Sequence, residues 1–310
     1  MTTIKKAEQI KKLIFVGLLD ENIAVNYLSA DQTLFSILKL YFSSPDEEIK
    51  DLLKKGESNP ASKWTDKELK YYNIEPRIQK DISKIIPLKN LTQRAKDFLE
   101  KNKELKHGFD GVSVEDMMLN SNDFQQKCYW ALVFENEKSR VDRLMEELLE
   151  NILDEKVFSV IGQHRLKLRI KNITHPATAD CIVYLLPLNQ FGVICIEDNP
   201  GKSEAEAIAD AIAVAQQEDW IKDCPIFILR SKGLRISIYK AIFSENLLEA
   251  VRKGHPSIMD VTYVEKFAPK DELHRKGLDL LDPSQREQIV LILCSIESYF
   301  LNFAKNQEKK

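Results

Sequence analysis

Two carboxylates stand at the ends of two apolar runs that follow each other along the chain. Asp180 precedes the run 181–184, and Glu197 closes the run 192–196. If these runs are strands paired as an antiparallel hairpin through the intervening PLNQFG, both acids lie at the same edge of the sheet. Oxygen ligands in that arrangement suit a hard divalent cation, Mg²⁺ or Mn²⁺. The alternative is that both acids are solvated residues at strand ends, since carboxylates are mostly exposed.

A third acid, Glu137, stands on the apolar face of a predicted helix. Positions 141, 144, 145, 148, 149 and 152 are apolar at helical spacing, and Glu137 lies four residues before the first of them. A carboxylate that faces a sheet is costly unless it has a partner. Glu137 is therefore either a third metal ligand or the ion-pair partner of Arg140 or Arg143.

A row of cations lies on one predicted strand. Leu166, Leu168 and Ile170 alternate with basic residues, which places the cations together on the opposite face. Such a row would bind a phosphate backbone and would make the binding salt-dependent. The alternative is a solvated strand whose charges protect a sheet edge. The four cations are Arg165, Lys167, Arg169 and Lys171.

The elements that must position these residues have an α/β order. A helical pattern covers about 122–154, and a second helix, 203–217, separates the fourth apolar run from the fifth. Two more helices are predicted at about 244–252 and 284–305. The order predicts a mixed central sheet flanked by helices on both faces. The strand-like runs are VFSVIG, LKLRIKN, ADCIVYLL, FGVICIED, PIFILR and LRISIYK.

The first 110 residues differ from the rest and are predicted to form a helical region of unknown role. Apolar faces around 10–18 and 34–41 indicate short helices, and a further helix is expected from Thr65 to just before Pro76. The segment 106–111 is the candidate boundary, which leaves 120–310 as the α/β domain. The helical region is a candidate surface for a protein partner or for a homo-oligomer.

The composition limits the classes of function. A net charge of -3 excludes a global basic field, so nucleic acid must bind at a local patch. No apolar run approaches the roughly 20 residues that span a bilayer, and the first residues lack the layout of a secretory signal. The five cysteines include no C-x-x-C pair, which argues against zinc and for free thiols in a reducing compartment. An intracellular protein, cytoplasmic or nuclear and without a membrane segment, is expected.

The order of these features resembles the PD-(D/E)XK nuclease superfamily over roughly half of the chain. That superfamily has a helix with a Glu, a strand that begins with Asp, a strand that ends in Glu-x-Lys, and another helix. The resemblance implies a restriction-endonuclease-like core in which Glu137, Asp180 and Glu197 bind Mg²⁺ or Mn²⁺. Active members hydrolyse phosphodiester bonds there. The helix after the motif often carries a glutamine, for which Gln216 and Gln217 are the candidates.

The sequence departs from the superfamily at Asn199, which occupies the position of the signature lysine. That lysine orients the attacking water and stabilises charge on the phosphate, whereas asparagine supplies no cation. Lys202, after Pro200-Gly201, is a candidate to replace it. A natural loss of activity or an engineered change fits the same residues. The expected function is a divergent metal-dependent nuclease acting on DNA or RNA. The alternative is an inactive nuclease-like fold that serves as a nucleic-acid or protein binding or regulatory module.

Overall fold

The structure is a computed structural model, and it describes residues 60–105, 121–133, 138–171, 173–197, 203–217, 224–254, 261–268 and 277–307. The predicted helices around 10–18 and 34–41 lie outside the described residues, as does the candidate boundary at 106–111. Glu137, Asn199 and Lys202 lie outside them as well.

A mixed eight-stranded sheet forms the centre of the molecule, as the order of apolar runs predicts. Its strand order is β1-β7-β6-β5-β4-β3-β2, with β8 paired to β6. The pairs β1–β7 and β4–β5 are parallel, and the other pairs are antiparallel. The strands are β1 Ile74–Gln79, β2 Phe158–Ile170, β3 Ile173–Leu185, β4 Gln190–Glu197, β5 Ile226–Lys232, β6 Arg235–Ala241, β7 Thr262–Phe267 and β8 Leu278–Asp279.

Seven helices in the described ranges cover the two faces of this sheet. The strands have apolar side chains on both faces, so both faces must be covered. The first core lies between the sheet and α2, α3, α4 and α7. The second core lies between the opposite face and α1, α5 and α6. The helices are α1 Asp66–Tyr71, α2 Gln93–Lys101, α3 Asp123–Val133, α4 Lys138–Ile152, α5 Glu204–Ala215, α6 Glu245–Lys253 and α7 Pro283–Gln307.

The long β2–β3 hairpin bends sharply in its middle. The ladder between the two strands lacks only the pair Gln163–Asp180, and Gln163 has a φ of 45°, in the left-handed region. Strand alternation is broken at this point, since Cys181 belongs to the first core but Ala179 belongs to the second. The two faces of the hairpin therefore exchange sides at Gln163 and Asp180. The part of the hairpin beyond the bend packs against the second core. We call this part, residues 164–170 and 173–179, the flap.

Helix α5 lies between the sheet and the flap. Every residue from 205 to 215 is buried, so this helix has no exposed face. A helix that is buried all round belongs inside a protein, and the alternating alanines of α5 permit close approach on every side, although Glu206 and Asp210 are buried with them. Ser203 begins the helix by accepting a hydrogen bond from the Glu206 backbone N–H at 3.2 Å.

Residues 60–105 belong to the same sheet and cores as the rest of the described chain. Thr65 caps α1 as predicted, in a capping box with Glu68. The stretch after it is a strand, because β1 pairs in parallel with β7 along its whole length. Pro76 fits there since β1 is at a sheet edge. The prediction of purely helical structure is therefore wrong for 74–79.

Helix α7 packs against the sheet as a core helix does. Among the described helices, it alone is long and apolar enough to cross a membrane, with a mean hydropathy of 1.2 over its most apolar window. More than half of that window, 56%, is buried inside the molecule. The Phe300 ring of α7 meets the Phe227 ring of β5 edge to face, with centroids 5.6 Å apart. This packing is that of a helix in the core of a protein.

The contact between β4 and α7 gives a prediction about stability. A Cβ atom added at Gly192 would lie 2.6 Å from the Phe300 ring and 2.6 Å from a Leu185 methyl group. Both groups are fixed in the first core, so Gly192→Ala is expected to lower the free energy of unfolding by about 1–3 kcal/mol. Urea titration followed by circular dichroism measures it.

Gly162→Ala is the matched control for this measurement. A Cβ atom there would meet the carboxylate end of Glu146, a flexible side chain that can rotate away. We expect a change within about 0.5 kcal/mol. Equal effects of the two substitutions would contradict the packing of α7 against β4.

Candidate functional site

Asp180 lies beside the end of β4. Strands β3 and β4 are antiparallel, with Cys181 opposite Cys195, so Asp180 of β3 lies beside the end of β4 that Glu197 forms. Glu197 is the last residue of β4 and its Cα pairs with Ser231 of β5. The structure describes Glu197 by its backbone alone. The expected hairpin is therefore present, and its register brings the two residues near each other.

The prediction that Asp180 opens its strand is wrong. β3 begins at Ile173, and Asp180 lies in its middle, at the bend of the hairpin. The predicted runs VFSVIG and LKLRIKN are likewise one continuous strand, β2. The cause is the bend at Gln163, which moves the apolar positions from one core to the other and so interrupts a single alternation.

A second buried acid, Asp142 on α4, lies in the same neighbourhood as Asp180. Asp180 is 2% exposed and Asp142 is 5% exposed. The pKa of the Cys195 thiol is raised well above its ordinary value, first by a hydrogen bond with Cys181, then by burial and by the charges of Cys181, Asp180 and Asp142. Both carboxylates therefore lie close enough to act on one thiol, and that thiol stays protonated.

Asp142 is buried on α4, as the sequence analysis expected of Glu137. It stands three residues before Met145 and seven before Leu149, two residues that are buried in the first core. The same helical spacing in the sequence therefore carried a signal for Asp142. Arg140, one of the two ion-pair partners considered for Glu137, lies over the Trp130 ring at 5.8 Å from its centroid.

The described acids near the end of β4 have the chemistry of a divalent-cation site but are too few to form one by themselves. Within the described part of the chain, no group of three or more His, Cys, Asp or Glu side chains is arranged to hold a metal ion. The described part includes Asp142 and Asp180 but neither Glu137 nor the Glu197 side chain. The two carboxylates that are described supply the oxygen ligands that Mg²⁺ and Mn²⁺ prefer, so their chemistry fits.

The predicted row of cations lies on the flap and is shorter than expected. Arg165, Lys167 and Arg169 are exposed on β2, and the residues between them are buried. Lys171 leaves the row because β2 ends at Ile170 and Lys171 turns the chain with a φ of 52°. The Lys171 side chain packs over Gly254 at the end of α6 instead. Because β2 is an edge strand, protection of the edge also remains an explanation for the three cations.

Gln216 at the end of α5 has a structural role at this edge. The Arg169 backbone N–H donates to Gln216 Oε1 at 2.7 Å, and Gln216 Nε2 donates to the Arg169 carbonyl at 3.1 Å. The side-chain amide thus pairs with β2 as a neighbouring strand would. Gln217 Nε2 donates to the Ala213 carbonyl of its own helix. Both glutamines expected from the resemblance are bound to backbone groups, away from Asp180.

Comparisons with known proteins give no family. No protein-family model matches the sequence, and no curated protein matches it.

Proposed function

We propose that the chain is a divergent metal-dependent nuclease with a restriction-endonuclease-like core built from α4, β2–β6 and α5. The observation that carries this proposal is the β3–β4 register, in which Asp180, in the middle of β3, lies beside the end of β4 where Glu197 stands. The buried acid Asp142 of α4 lies in the same neighbourhood. The order of helix, strand with Asp, strand with Glu, and helix agrees with the resemblance. The substrate would be a phosphodiester bond of DNA or RNA.

Three acids would hold Mg²⁺ or Mn²⁺: Asp180, Glu197 and one acid of the α4 segment, Glu137 or Asp142. The cation, when bound, would polarise the scissile phosphate and lower the pKa of a bound water. Two neighbouring buried carboxylates repel each other, which a divalent cation would offset. Lys202, or less effectively Asn199, would orient the attacking water by donating a hydrogen bond to it.

A second candidate is a binding or regulatory module that keeps the fold without catalysis. Two observations favour it: asparagine replaces the signature lysine, and only 2% of Asp180 is exposed. In that case the flap cations would bind nucleic acid without any cleavage. A protein partner or a homo-oligomer through the N-terminal region belongs to either proposal. So does an intracellular location, which is supported by five free, buried cysteines.

Titration of Mn²⁺ into the protein, followed by calorimetry, tests the nuclease proposal. We expect saturable binding that Asp142→Asn weakens by about 10- to 100-fold, the range seen when a group that supports a metal site is lost. Asn keeps the shape of the side chain and removes its charge. Glu137→Gln is the matched variant, and the larger loss of the two identifies the helix acid that acts.

The outcomes separate the candidates. If both substitutions weaken Mn²⁺ binding equally and only slightly, neither acid of the α4 segment is a metal ligand. If Mn²⁺ does not bind the parent protein at all, the nuclease proposal is contradicted and the non-catalytic module is favoured.

A further inference from the structure

Two cations on the flap have no partner in the described part of the chain. Arg165 and Lys167 are both exposed, and neither forms an ion pair or a side-chain hydrogen bond with a described residue. They are two positions apart on β2, so their side chains leave the same face about 7 Å apart. That is close to the distance between adjacent phosphates in an extended nucleic-acid strand.

The residues opposite these cations on the flap are uncharged. On the outer face of the flap, Arg165 lies opposite Thr178 and Lys167 lies opposite Pro176, and all four residues are exposed. The next pair in this direction is Arg169 with Thr174. The outer face of the flap therefore has cations in one row and uncharged residues in the other.

The β2 backbone that carries the cations is fixed by its packing on the second core and by hydrogen bonds. Leu166, Leu168 and Ile170 are all at most 3% exposed and pack in the second core with α5. The two hydrogen bonds between the Gln216 side chain and the Arg169 backbone, one accepted and one donated by Gln216, fix β2 at Arg169. Cations on a fixed strand lose little backbone freedom when they bind, and their spacing is constant.

The row begins next to the candidate site. Arg165 pairs with Thr178, which is two residues before Asp180 on β3. We propose that one nucleic-acid strand runs along β2 away from Asp180, so that Arg165 binds the phosphate next to the reacting one and Lys167 binds the following phosphate. This inference rests on the proposed function and adds the direction and register of the substrate. Protection of the sheet edge would require charged residues on β2, but it would not require that successive cations bind successive phosphates.

The test measures binding in EDTA, so that it does not depend on cleavage. Fluorescence anisotropy of labelled single-stranded DNA, duplex DNA and single-stranded RNA is recorded with the parent and with Arg165→Ala/Lys167→Ala. We expect roughly tenfold weaker binding to the preferred substrate at low salt. The slope of log K against log salt should become shallower by about 1.4 for a single strand or about 1.8 for a duplex.

Lys80→Ala/Lys96→Ala is the matched control, since both lysines are exposed and lie off the flap. It should leave the salt slope unchanged. The register is read from oligonucleotides with a single neutral methylphosphonate at successive positions: the parent loses affinity at two adjacent positions, and the flap variant does not.

Three results would overturn the inference: an unchanged salt slope in the flap variant, an equal change in the control, or neutral phosphates that act equally at all positions. If one of these results is obtained while metal-dependent cleavage is still observed, the proposed nuclease activity is not contradicted. If the salt slope and the methylphosphonate positions change as expected but no cleavage occurs, the flap binds nucleic acid and the proposed nuclease activity is contradicted.

Discussion

Asn199→Lys is expected to raise the rate of Mn²⁺-dependent phosphodiester cleavage by about 10²- to 10³-fold, the amount that one preorganised charge-stabilising group typically contributes. Asn199 stands two residues after Glu197, where the resemblance to the nuclease superfamily would place the lysine of Glu-x-Lys. An ammonium group there would stabilise negative charge on the phosphate and orient the attacking water, whereas a carboxamide brings no charge. Single-turnover cleavage of labelled DNA and RNA, in Mn²⁺ and in Mg²⁺, measures the gain.

Lys202 provides the internal control for this substitution. If Lys202 already supplies the cation, Asn199→Lys changes the rate little and Lys202→Ala abolishes cleavage. A gain from Asn199→Lys with no loss from Lys202→Ala identifies a site that is weakened at Asn199. Absence of cleavage from both the parent and Asn199→Lys, across both metals and all substrates, would favour the non-catalytic binding module.

Asp180→Asn is expected to reduce metal-dependent cleavage by about 10³-fold or more, because a bound metal ion contributes several kcal/mol of transition-state stabilisation. The substitution keeps the size of a side chain that is 2% exposed at the bend of the hairpin. It removes the negative charge that would bind the cation. Cleavage rate and Mn²⁺ affinity should therefore fall together.

Asp210→Asn separates this effect from a general loss of stability. Asp210 is also a buried aspartate, 1% exposed, but it lies on α5 within the second core. The control should leave cleavage and Mn²⁺ affinity unchanged when both variants are compared at equal folded fraction, measured by thermal unfolding. Equal losses in the two variants would mean that Asp180 supports the fold and not the reaction.

The sequence predicts the parts of the fold that are periodic. Strands β4 and β5 contain continuous apolar runs, β6 alternates apolar with polar residues, and α5 is a helix between a serine cap and Gln216, so all four are found where the pattern predicts them. Strand β1 was missed because only Ile74 of its six residues is buried, which leaves no alternation to detect. Pro76 also indicated a chain break more strongly than an edge strand.

The candidate site is less accessible to sequence analysis because it depends on the bend of the hairpin. A left-handed conformation at a non-glycine residue such as Gln163 has no clear sequence signal, and it changes the face of every position beyond it. Asp142 was missed for another reason. Extending the apolar stripe backward leads to Glu137, whereas Asp142 lies inside the stripe and was passed over.

Helix α5 has a consequence for how the evolutionary record of this fold should be interpreted. Each of its residues from 205 to 215 touches protein on every side, so almost any larger side chain would overfill the space between sheet and flap. A saturation mutagenesis scan should find α5 among the least tolerant segments, although it presents no surface to a substrate. Invariance in this helix among related sequences would therefore reflect packing. Variation at exposed flap positions such as Arg165 would carry more information about what the protein binds.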